Sequence, residues 1–97
     1  MSSTFTREYG CTLAEWHRWM DGGATQGLPR VRGPGASLRL MLPVGELLLR
    51  WQELEPRVIA LMRLPRLEVN FEFLHVPPQA QADFLTVFDR HLQRGGG

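Results

Sequence analysis

An α+β fold follows from three patterns in the 97 residues. Apolar alternation at period two recurs around residues 4–9, 38–42 and 67–73, two stretches show helical periodicity, and glycine and proline punctuate the gaps. Alternating segments close in sequence pair antiparallel, and helices with one apolar stripe each cover one side of such a sheet. The expected architecture is a small antiparallel sheet of about 4–5 strands, in the order β-α-β-β-β(β)-α, with two helices on one face.

Taken in order, residues 4–9 place Phe5, Arg7 and Tyr9 on one side and Thr4, Thr6 and Glu8 on the other, the pattern of a first strand. Thr12 and Glu15 have the spacing of a capping box, in which each side chain satisfies a free backbone N–H at a helix start. A helix over residues 13–21 follows, with Leu13, Trp16 and Met20 as its apolar stripe and Gly22-Gly23 as its stop. Residues 22–36 hold five glycines and two prolines, and are read as one long irregular loop carrying Arg30 and Arg32. A hairpin comes next, residues 37–42 against 46–51, with Pro43-Val44-Gly45 as its turn. The sequence Glu53-Leu54-Glu55-Pro56 punctuates again and opens an apolar run interrupted at Pro65, where a bulged or bent strand is expected because proline removes a ladder donor. From Leu67 the alternation puts Leu67, Val69, Phe71 and Phe73 inward and Glu68, Asn70 and Glu72 outward. Pro77-Pro78 introduces a second helix over residues 79–94, with Ala80, Phe84, Leu85, Val87, Phe88 and Leu92 on its apolar face. Gly95 is expected to cap it and residues 95–97 to form a flexible tail.

Composition narrows the function classes. Residues 1–97 are read as one domain; eleven basic and ten acidic side chains give a net charge of +1, which argues against a nucleic-acid binder. No run of about 18 apolar residues and no charged-then-apolar leader are found, so neither a membrane span nor a secretory signal is expected. Cys11 is the sole cysteine, which excludes an internal disulfide and fits a cytoplasmic setting. All eleven basic residues are arginine, and four of them, Arg18, Arg30, Arg32 and Arg39, face only Asp21 between residues 18 and 39. The forked guanidinium suits carboxylate or phosphate, but no phosphate-loop motif accompanies these arginines.

The most informative feature is apolarity on both strand parities, in Leu47-Leu48-Leu49 and in residues 58–62. A sheet with one solvated face alternates, so apolar residues of both parities imply burial on both faces, while two helices cover only one. Burying three extra Leu or Met side chains contributes about 5–9 kcal/mol at roughly 1.5–3 each. The glycine-rich loop, a bound ligand or a second copy of the chain are the three candidates for that cover. His17, His75 and His91 have no metal spacing, and His91 falls inside the second helix's apolar face near Ala80 and Phe84, where burial would disfavour its charged form. Cys11 sits before a helix start, a place that favours thiolate, although a small buried hydrophobe there is the plainer reading.

These features describe a small non-enzymatic interaction module that self-associates or docks a protein partner through apolar sheet surface at Leu48, Val58, Ala60 and Met62. The alternative is a small anionic ligand bound in a helix/sheet pocket by Arg30 and Arg32, with a buried His91 at its base and modest catalysis as its extension. Neither reading calls for a cofactor or a metal.

Overall fold

The structure, a computed structural model, describes residues 2–96, with side chains through residue 92. Five antiparallel strands and two helices form the expected α+β fold. The strands are β1 (Ser2–Tyr9), β2 (Arg30–Arg32), β3 (Ser37–Met41), β4 (Glu46–Ile59) and β5 (Met62–Leu74), and the helices α1 (Leu13–Asp21) and α2 (Pro78–Gly96). The order across the sheet is β1-β5-β4-β3-β2. No helix among the described residues is long and apolar enough to cross a membrane.

Helix α1 starts where the capping box requires. The Thr12 hydroxyl accepts from the Glu15 amide at 3.1 Å, and the Glu15 carboxylate accepts from the Thr12 amide at 2.9 Å. Donation to the Glu15 carboxylate from the Thr12 amide, and secondly from the Thr12 hydroxyl, holds the Glu15 pKa below its ordinary value. Helix α2 begins on Pro78, whose missing N–H costs nothing in a first turn. It continues through Gly96, past the cap expected at Gly95; Gly97, the end of the expected tail, lies outside the described residues.

Both helices cover the same side of the sheet. Leu38, Leu40, Leu47, Leu49, Leu67, Val69, Phe71 and Phe73 point toward them and are buried. Trp16 of α1 packs against Trp51 and against Phe88 of α2, while Phe84 and Phe88 meet Phe73 and Phe71 edge to face. Arg7 also lies on this inner side, paired with Asp89 of α2 and with its guanidinium 5.3 Å from the Phe5 ring centre. The opposite side of the sheet is open and polar, with Thr4, Thr6, Glu68, Asn70, Glu72, Arg39 and Arg50 in its rows.

Two segments depart from expectation. Residues 22–36 are not one irregular loop: a 3-10 turn at Gly23–Thr25 buries Ala24 and Thr25 beneath the helices, and β2 pairs with β3. Gln26, at φ 58°, leaves that turn with its side-chain amide donating to the Phe84 carbonyl at 3.2 Å. Tertiary contacts order a segment whose composition favours loops. The second departure is in β4, which does not stop near Pro56. It runs to Ile59, turns at Ala60-Leu61 and returns as β5, so that the whole of residues 46–74 forms one long hairpin.

Candidate functional site

The sheet body ends well before this hairpin does. Strand β1 pairs with β5 only from Leu67 to Leu74, and β3 pairs with β4 only from Glu46 to Arg50. Beyond those points β4 and β5 are flanked by nothing and form a free two-stranded ribbon. From Leu67 to Met62 it extends roughly 17 Å, at about 3.3 Å per residue. The radius of gyration of 13.8 Å and the long axis of 46 Å, against 25 and 21 Å for the other two, reflect it. A compact chain of this length is expected nearer 12–13 Å.

A β-bulge marks the ribbon's base. Leu54 pairs with Arg66 and Arg57 with Leu64, which leaves Glu55 and Pro56 opposite Pro65. Two prolines thus meet where the ladder is interrupted, the outcome expected for Pro65. Arg66 holds the base together: one nitrogen donates to the Glu55 carbonyl at 3.3 Å and another to the Glu8 carboxylate of β1 at 2.6 Å. That bond from Arg66 keeps the Glu8 carboxyl below its ordinary pKa.

Past the bulge every residue from 55 to 64 is exposed. Leu61 at the tip is 100% exposed, Val58 62%, Met62 61%, Ile59 53% and Leu64 37%. Directly opposed residues share a face, so Ile59 and Met62 stand together, with Leu64 two residues along on the same side. Val58, opposite Arg63, points the other way. Residues 56–65 contain Arg57 and Arg63 and no carboxylate, whereas Glu53 and Glu55 lie at the base.

The structure therefore redistributes the residues expected to form one apolar sheet surface. Leu48 sits half-buried in the open polar face, paired with Arg39 and Glu72. Val58, Ala60 and Met62 belong to the ribbon tip, where the turn at Ala60 breaks their shared parity. Some ten residues, or about 33 Å of strand, separate Leu48 from Val58. The residues that do cluster are Ile59, Leu61, Met62 and Leu64. A signal for this was present: Pro56 and Pro65 are equidistant from a turn centred between Ala60 and Leu61.

The expected ligand residues are also divided. Arg30 donates to the Met20 carbonyl at the end of α1 and pairs with Asp21 at 3.5 Å, so it ties β2 to that helix. Arg32 is left at the long limit of an ion pair, 3.9 Å from Asp21. Both line a cavity of about 260 Å³ with His17 and Trp51, whose rings meet edge-on at 5.8 Å. A second, larger groove of about 570 Å³ lies beside it along residues 33–36, lined by Arg32, Arg39 and Arg50 with Val31, Leu48 and Trp51. His91 joins neither. It is exposed rather than buried, its ring against Gly23 so closely that a Cβ there would fall 2.6 Å from it. The helix angle put His91 inside the apolar face near Ala80 and Phe84; the side chain instead lies against the 3-10 turn and stays exposed.

Cys11 is buried, and burial followed by the Glu15 charge pushes its thiol up to about 11. This is the environment of a small hydrophobe, opposite to that of a nucleophile. Among the described residues no group of three His, Cys, Asp or Glu side chains is placed to hold a metal ion. Comparison of the chain with protein-family models, curated proteins and solved structures gives no match.

Proposed function

We propose that the chain is a non-enzymatic interaction module whose partner is a second copy of itself, engaged through the β4–β5 ribbon. The observation that carries this reading is the group of four large apolar side chains, Ile59, Leu61, Met62 and Leu64, exposed together on a segment flanked by no other strand. Patches of this kind on a soluble chain mark association surfaces. Strand addition is not the mode: Pro56, Pro65, the bulge and the arginines blunt both ribbon edges. Docking instead uses the side-chain face of Ile59, Met62 and Leu64.

Charge selects the partner. The tip carries Arg57 and Arg63, the base carries Glu53 and Glu55, and none of the four forms an ion pair among the described residues. Two ribbons packed antiparallel about a two-fold axis set each basic tip beside the other's acidic base, with the apolar faces between them. Such an isologous contact is self-complementary. A few hundred Å² per copy is at the low end of specific interfaces, so the dimer is weak and depends on concentration. A cytoplasmic setting, where cysteines stay reduced, is the reading that the single free thiol supports.

Sedimentation equilibrium at micromolar and tenfold higher concentration tests this. The wild type is expected to shift toward dimer with concentration, and the double variant Ile59→Asp/Met62→Asp to remain monomeric with an unchanged circular dichroism spectrum. Reversing charge at the base (Glu53→Arg/Glu55→Arg) should weaken the dimer, and adding Arg57→Glu/Arg63→Glu should restore it. A wild type monomeric up to millimolar concentration would overturn the reading.

A further inference from the structure

The cavity between α1 and β2 is built from different residues than the ribbon and lies on the helix-covered side of the sheet. Arg30 and Arg32 oppose Leu40 and Leu38, and Trp51 opposes Val69, so all three stand on the side of the core. On α1, Leu13, His17 and Asp21 follow one another at intervals of four and line the facing wall. Arg39 and Arg50, opposite Leu48 and Asn70, belong to the open face and take no part. The turn at residues 33–36 makes the third wall and is already fixed. The Gly33 amide donates to the Ser37 carbonyl at 3.3 Å, the Ser37 hydroxyl to the Pro34 carbonyl at 2.9 Å, and the Trp51 amide to the Ala36 carbonyl at 3.1 Å. A site held in place before binding loses less freedom when a ligand arrives.

Two arginines and one carboxylate line this cavity. Arg30 is committed, because it donates to the Met20 carbonyl and stands 3.5 Å from Asp21. Arg32 is not. Its guanidinium is 3.9 Å from the same carboxylate, its side chain is 78% exposed, and among the described residues it makes no hydrogen bond. At that distance and exposure an ion pair contributes little. The cavity thus carries one uncompensated positive charge, two arginines less one aspartate, with its donors unspent. Leu13, Met20, Leu38 and Trp51 supply apolar wall. Both aromatic neighbours of Trp51 meet it at a steep angle, 57° for Trp16 and 82° for His17, so neither stacks flat on the indole.

We propose that this cavity binds a small aromatic monocarboxylate, with its carboxylate in the fork of Arg32 and its ring against Trp51. Charge decides the anion. One guanidinium balances one carboxylate through two parallel hydrogen bonds, whereas a phosphate dianion would set its second charge against Asp21. Size decides the body. The cavity of about 260 Å³ lies just below the roughly 300–1,000 Å³ usual for small-molecule sites, which suits a ligand of one or two rings. The proposal does not rest on self-association, and the monomeric Ile59→Asp/Met62→Asp variant is expected to bind as the wild type does.

The test is a titration followed by the amide shifts of Gly33, Gly35 and Ala36 and by the Trp51 indole N–H, with naphthoate, naphthamide, acetate and naphthyl phosphate as probes at constant ionic strength. Naphthoate is expected to bind at least tenfold more tightly than any of the others. Arg32→Gln should lower its affinity at least tenfold, the loss of a hydrogen-bonded charge, while Arg39→Gln/Arg50→Gln, on the opposite face of the sheet, should leave it unchanged. An absence of shifts with naphthoate, or equal binding by Arg32→Gln and wild type, would overturn the site. Naphthamide or naphthyl phosphate binding as tight as naphthoate would overturn the carboxylate assignment, and acetate binding as tight would overturn the aromatic one.

Discussion

The two halves of the β4–β5 hairpin share strands, direction and ladder, yet differ in almost every physical respect. In the proximal half, Leu47, Leu49, Leu67, Val69, Phe71 and Phe73 are each 0% exposed and, apart from Leu48, alternate with polar residues. In the distal half apolar residues occupy both parities and none is buried. Alternation is what a sheet with one covered face requires. Its loss in residues 58–62 does not signify cover on two faces but the absence of cover on either, because no helix or neighbouring strand reaches that far. Apolarity without period thus has two structural origins, and the flanking strands distinguish them.

The largest test of this contrast replaces one large apolar residue in each half. Phe71→Ala removes a ring that is wholly buried and packed on Phe5 at 4.7 Å and Phe88 at 5.6 Å. It should cost about 3–5 kcal/mol in urea denaturation. Leu61→Asn, at the tip, should change stability by no more than about 0.5 kcal/mol. A tip substitution as damaging as the core one would mean that the ribbon folds back onto the body in solution.

A smaller test compares the turns at the two ends of β4. Gly45 has φ 81°, and a Cβ built on it would lie 2.4 Å from the Leu74 carbonyl oxygen and 2.5 Å from that of His75. Gly45→Ala therefore meets both an unfavourable φ and backbone that cannot yield, and should cost about 1–3 kcal/mol. Ala60, at φ 55°, is a side-chain-bearing residue where a two-residue hairpin favours glycine. Ala60→Gly should stabilise the ribbon by up to about 1 kcal/mol, read as slower exchange of the amides in residues 56–65.

Much of the fold was legible because several local signals agreed. Thr12, Glu15 and Gly22 fix both ends of α1, and four successive inward residues from Leu67 to Phe73 fix the register of β5. Where signals conflicted, tertiary structure decided. The sequence Ala60-Leu61 has no turn chemistry, so the hairpin there was hidden inside an apparently continuous apolar run. Strand β2 was hidden because Arg30-Val31-Arg32 is three residues long, and its order comes from pairing with β3 and from Arg30 reaching the end of α1. Of the candidate site, the apolar tip and Arg32 were visible as residue types. The placement of Arg39 beside Arg50 on the open face, with Arg32 on the helix-covered side, was not, since it depends on a register between three strands that no local pattern encodes.

The subtlest separation of the two halves is by pH. Residues 56–65 hold no acid, histidine, thiol or phenol, so the tip has nothing to titrate between pH 2 and 12. The body does. Burial raises the Cys11 thiol from 9.0 to about 11, and burial likewise raises the Tyr9 phenol. In both cases the folded chain holds the proton more tightly than the unfolded chain, so their contribution is fully present below pH 9 and is lost as pH rises through about 11. Glu8 and Glu15 act in the opposite sense: their lowered pKa values give a contribution present above the unfolded carboxylate range and lost as pH falls through their folded values. Global unfolding free energy should therefore decline at both extremes. The exchange-corrected opening equilibrium of the tip amides should stay level from pH 9 to about 11, where the body loses stability. A tip whose opening follows the thiol's titration would show that ribbon and body unfold as one unit, and the contrast between the two halves would then be one of exposure alone.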